Sequence, residues 1–157
     1  MKSGQTGRIT EELEKGLVWL VDHFKSAAPR VVESARDLPP VIVLTDGACE
    51  ESGTTIGGVL YVPGQAPQCF GAKLSEATTA AWKTRLEQSQ VIGQAEIFPL
   101  LVARLTWSKL LTGRRVIYFI DNESARIGLA RAYSPVLPSL PMILDCLHWD
   151  YANCSQG

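Results

Sequence analysis

The sequence lacks a marked excess of either charge. Its 15 basic and 16 acidic side chains leave a net charge of −1 over 157 residues. That excludes a protein that coats nucleic acid by bulk charge, while leaving room for a local basic face. No apolar run is long enough to span a bilayer. The opening Met1-Lys2-Ser3-Gly4-Gln5-Thr6-Gly7-Arg8 lacks the apolar stretch of a secretory leader. A soluble, intracellular protein is expected. Cysteines are few: Cys49, Cys69, Cys146 and Cys154 form no CxxC pair, so a disulfide-stapled fold is excluded. Cys146, His148 and Cys154 match no common zinc spacing and lack a fourth ligand. Cys49 and Cys69 adjoin apolar runs, where a thiol is expected to act as a small hydrophobe. With 13 glycines, 9 prolines and no internal repeat, fibrous and solenoid architectures are excluded too. What is present is 46% hydrophobic residues, enough at this length for one sizeable core.

The pattern of that hydrophobicity changes along the chain. Thr10 is placed to cap a helix whose first turn carries Glu11, Glu12 and Glu14. Leu13, Leu17, Leu20, Val21 and Phe24 recur there at helical spacing. After Pro39-Pro40, the run Val41-Ile42-Val43-Leu44-Thr45 reads as a strand buried on both faces, closed by Asp46-Gly47. Thr55–Val62 and Gln68–Leu74 follow after short turns, which predicts an antiparallel meander. Glu96, Leu100, Ala103, Trp107 and Leu111 then mark one long helix stopped by Gly113, with Pro99 expected in its first turn. Residues 114–120 form another buried strand ending at Asp121, and helices are expected over 122–132 and 140–149. The predicted class is α/β, with the order βββαβα after an initial helix.

Three acids stand at the ends of these elements. Asp46 and Asp121 each follow an apolar strand, and Glu96 opens the helix between them. Each has an ordinary explanation, since Asp-Gly makes turns and an Asp before a helix caps it. Their joint placement argues for more. Carboxylates at strand ends fall where ligands bind in such sheets. Three clustered anions would repel unless a cation lay among them, and an all-oxygen donor set selects Mg²⁺ or Mn²⁺ over zinc. Such a cluster suits phosphoryl chemistry, with one metal activating water and a second steadying the leaving oxygen.

The segments Leu44-Thr45-Asp46-Gly47-Ala48, Gln94-Ala95-Glu96 and Phe119-Ile120-Asp121-Asn122-Glu123-Ser124-Ala125 resemble the ribonuclease H domain of retroelement reverse transcriptases. The resemblance covers about residues 41–134. Glu96 lies 50 residues after Asp46 and 25 before Asp121, which implies an insertion around 75–90. It implies a ribonuclease H-like mixed sheet with helices, metal-dependent hydrolysis of the RNA strand of an RNA/DNA hybrid, and Asp46, Glu96 and Asp121 as catalytic metal ligands, with two Mg²⁺ or Mn²⁺ ions. Asn122 and Ser124 become candidates for substrate contact, with capping of the helix they begin as the alternative. Residues 1–40 are expected to join the domain to the polymerase portion of a longer polypeptide, and 41–157 to be the ribonuclease H-like domain.

The family's last strand and closing helix, which brings a fourth acid and a nearby histidine, are missing from the pattern. Asp145 fits a solvated helix face, Asp150 is without support, and apolar neighbours assign His148 a buried or partly buried structural role. Arg104, Lys109, Arg114, Arg115, Arg126 and Arg131 fit solvated faces slightly better than a phosphate track, and Trp107 fits the core. The competing function is therefore a catalytically silent nucleic-acid-binding or scaffold module of the same fold. An exonuclease of that fold is disfavoured by Ala48, where an acid would be needed two residues after Asp46.

Overall fold

The computed structural model describes residues 11–26, 38–83, 91–134, 136 and 138–154. The chain divides into two compact units, residues 1–32 and 33–157. The first unit contains helix α1 (Glu11–Ser26), with an exposed Lys15–Glu11 ion pair one turn apart at 2.7 Å. Leu17, Val18, Leu20 and Val21 are exposed along it. The proposed cap Thr10 lies outside the described residues.

The second unit is a mixed α/β fold. Its strands are β1 (Val41–Glu50), β2 (Gly53–Tyr61), β3 (Gln68–Lys73) and β4 (Val116–Ile120). Its helices are α2 (Glu76–Lys83), α3 (Ile92–Thr106), α4 (Ser108–Leu111), α5 (Glu123–Arg131) and α6 (Ser139–Cys154). The expected meander is present, and the sheet order is β3-β2-β1-β4. β1 pairs antiparallel with β2 and parallel with β4, so a crossover through α2, α3 and α4 joins the meander to the last strand.

The strands depart from expectation in how they are buried. Neither β1 nor β4 is buried on both faces. Val41, Val43, Thr45 and Gly47 are buried, whereas Leu44 and Asp46, at alternate positions, are exposed. Facing neighbours repeat this, with Leu60, Gly58 and Ile56 inward and Tyr61 and Val59 outward. The period-two alternation of side chains thus splits a continuous apolar run between two environments. Within this unit, the described helices cover the inward face. There Val41, Val43 and Leu60 pack with Ala103, Trp107 and Leu111. A second cluster joins Trp82, Val91, Ile97, Ala125, Met142 and Ile143 beneath α5 and α6. On the outward face, Leu44, Val59, Tyr61, Ile117 and Phe119 stay exposed.

The expected single helix from Glu96 to Leu111 is two. Trp107, a core residue as expected, separates α3 from α4 with non-helical φ and ψ of −106° and 21°. α3 also begins earlier than its acid, at Ile92, which places Pro99 in the helix interior rather than the first turn. Arg104 is not on a solvated face. It is buried on α3 and forks onto Asp150 of α6 at 3.0 and 2.7 Å, with its guanidinium carbon 4.4 Å from the centre of the Tyr118 ring. His148 is exposed rather than buried, as is Asp145, which matches its solvated-face reading. Cys49 and Cys69 are exposed despite their apolar neighbours: Cys49 lies near the end of β1, beyond its buried stretch, and Cys69 pairs with the outward-facing Val59. Cys146 is buried, and burial pushes its thiol up to about 11.

Candidate functional site

Asp46 sits near the middle of β1, on its outward side, with its Oδ1 accepting the Gly47 backbone N–H at 2.9 Å. Asp121 follows β4 immediately. The parallel register pairs Thr45 with Ile120, so the next step along both strands sets Asp46 and Asp121 side by side. The two acids close one end of an open groove of about 590 Å³ on the uncovered sheet face. Leu44, Val59 and Phe119 line the rest of it, and Gly57 keeps its β2 side shallow.

Glu96 reaches this end from the other side of the sheet. It lies in α3, on the helix-covered face, and is only 8% exposed. The approach is possible because of Gly47. A methyl group there would overlap the Ala95 carbonyl oxygen and lie 2.5 Å from its carbon and 3.1 Å from the Glu96 nitrogen. A glycine in a strand interior signals close approach of another backbone, and the Asp-Gly step, ordinary as a turn, has that role here. The Asp46-Gly47 step does not close the strand as expected, since β1 continues to Glu50.

The electrostatics tie the three acids together. Burial raises the Glu96 carboxyl above its ordinary value, Asp46 and Asp121 raise it further, and the Gly47 N–H partly opposes them. One Glu96 oxygen, Oε2, is buried without a hydrogen-bond partner. A buried carboxylate oxygen left unpaired is costly and wants a donor or a cation. Thr45 Oγ1, on the same inward stripe of β1, is another buried oxygen without a partner. The three acids are electrostatic neighbours rather than a gathered ligand set. Among the described residues, no three His, Cys, Asp or Glu side chains come close enough together to hold a metal ion. As a donor set the trio fits a hard divalent cation, since it is all oxygen and includes one buried oxygen with nothing to bind.

The other candidates are placed as follows. Asn122 is the N-cap of α5, its Oδ1 accepting the Ala125 N–H at 2.9 Å, so that oxygen is committed to the helix. Ser124 is exposed on the first turn beyond it. Asp150 is held by Arg104, eight residues along α3 from Glu96, and the pair ties α6 to α3. Gln94, two residues before Glu96, is buried and donates from Nε2 to Ser139 Oγ at 3.0 Å, a second tie between these helices. Among the described residues no helix is long and apolar enough to cross a membrane. The chain matches no protein-family model and no curated protein.

Proposed function

We propose that this chain is a ribonuclease H-like domain of a retroelement reverse transcriptase, a divalent-metal endonuclease for the RNA strand of RNA/DNA hybrids. The observation that carries the reading is the electrostatic proximity of Glu96 to Asp46 and Asp121, set up by the backbone contact of Ala95 with Gly47. In this reading Asp46, Glu96 and Asp121 hold Mg²⁺ or Mn²⁺. When bound, the ion supplies a water of lowered pKa and neutralises charge on the scissile phosphate. The chain's own residues do the rest. Asp46 and Asp121 orient the site from adjacent strands, and Glu96 brings the third carboxylate from a buried backbone position. Ser124, exposed near Asp121, is available to a 2′-hydroxyl, the group that distinguishes RNA.

The test is cleavage of a labelled hybrid by the full chain in Mg²⁺ and in Mn²⁺, with duplex DNA and duplex RNA as controls. Cutting confined to the RNA of the hybrid, and lost in Asp46→Asn and Glu96→Gln, is the expected result. Equal cutting by the variants would overturn the assignment. A second reading, a silent nucleic-acid-binding or scaffold module, is favoured by one observation. Asp150, one of the two late acids, is engaged by Arg104 rather than free to serve as a fourth acid. Salt-sensitive binding of the hybrid without turnover in either metal would select it.

A further inference from the structure

The point where β1 meets α3 has a second component four residues along the helix. Pro99 lies inside α3 and is fully buried. A proline in a helix interior offers no N–H to the carbonyl four residues earlier, and its ring presses on that carbonyl and tilts it outward. The carbonyl four residues before Pro99 belongs to Ala95. It is the same carbonyl whose oxygen lies where a Gly47 side chain would be. Ala95 is itself fully buried, so this carbonyl is held against the strand rather than turned to water.

We propose that Pro99 is a positioning residue for Glu96. By freeing and tilting the Ala95 carbonyl it seats the first turns of α3 against the bare backbone of Gly47. The residue after Ala95 is then carried past β1 to the level of Asp46. Gly47 and Pro99 thus act as a pair, the glycine leaving the space and the proline sending the carbonyl into it. This use of the pair rests on the metal-site reading above, whereas the pairing itself is a property of the fold.

Two measurements decide it, one of them free of metal. Gly47→Ala introduces overpacking and is expected to lower Tm by roughly 4–12 °C. In the Pro99→Ala background the restored N–H draws the Ala95 carbonyl back into the helix, and the same substitution should cost less than half as much. Equal losses in both backgrounds would overturn the pairing. Should Gly47→Ala fail to fold, recovery of a folded chain in the double variant replaces the Tm comparison. If neither folds, the Gly47 amide signal of Pro99→Ala decides, since an unmoved signal refutes the contact.

The second measurement is Mn²⁺ titration followed by broadening of amide signals around Asp46, Glu96 and Asp121. Pro99→Ala, at a temperature where its amide spectrum shows it folded, should bind Mn²⁺ about tenfold more weakly, the scale at which supporting residues act on metal ligands. Unchanged affinity would refute the positioning role. Absence of Mn²⁺ broadening in the wild-type chain would instead refute the metal-site reading and with it this use of the pair, leaving the Tm comparison to judge the pairing.

Discussion

Replacing Asp150 by alanine isolates a question on which both fold and function turn. The Arg104 side chain is 5% exposed and that of Asp150 is 36% exposed, so the two ends of the ion pair sit in unlike environments. Burial disfavours the Arg104 charge, and the Asp150 hydrogen bonds, together with the neighbouring acidic groups of Tyr118, Cys146 and Asp150, outweigh it. Removing Asp150 leaves a buried guanidinium with two lost hydrogen bonds, while its Nη1 already has no partner. Breaking a buried pair from one side costs about 3–5 kcal/mol. The partial exposure of Asp150 and the surviving Tyr118 ring face place this case at the lower end, about 3 kcal/mol. That is a fall in Tm of roughly 10 °C for a domain of this size. The double variant Arg104→Met, Asp150→Leu removes both charges together and should return to within about 1 kcal/mol of wild type. Thermal unfolding at neutral pH measures both. A loss below about 1 kcal/mol for Asp150→Ala would refute the argument that this pair fastens α6 to α3. Hybrid cleavage by the folded double variant then separates the roles, because a ligand would be missed and a fastening would not.

Two further outcomes follow from the site. Glu96 has a carboxyl raised in the folded state, so the native protein binds its proton more tightly than the unfolded chain does. The penalty for its charge is absent below the ordinary value of 4.5, grows as pH rises toward the folded value, and is full above it. Glu96→Gln should therefore raise stability at pH 7 by about 1 kcal/mol in metal-free buffer and give no gain at the acid end. A gain independent of pH in thermal melts would contradict the assignment. Asn122→Ala removes the α5 cap and should cost about 1 kcal/mol in denaturant unfolding, whereas Asn122→Ser, which retains a capping oxygen, should cost only tenths. A Ser variant as unstable as the Ala variant would show that the oxygen does not act as a cap.

Much of the architecture was legible because it depends on local pattern. The meander, the crossover helix and the final strand follow from β-branched runs, turn residues and a change of hydrophobic period. The three acids were legible by position, and the electrostatics do make them neighbours. Other features were hidden. Arg104 has the same sequence surroundings as a solvated arginine, and only the arrival of Asp150, 46 residues later, makes its burial tolerable. The limits of α3 were missed because Ile92, Gly93 and Gln94 carry no cap signal, and Val91 has no side-chain cap bond.

The sequence by itself marked the four strands and the main helices, since propensity and periodicity act over a few residues. It did not mark the helix α2, the break at Trp107 or the true ends of β1 and α3. Only the tertiary structure decided which face each residue joins. The apolar run of β1 is divided between a helix-covered side and an exposed one by the partners that happen to pack there. It also decided how a carboxylate on the covered side comes to neighbour two on the other. That rests on the contact of Gly47 with the Ala95 backbone, a matter of excluded volume between segments 48 residues apart, which no local pattern encodes.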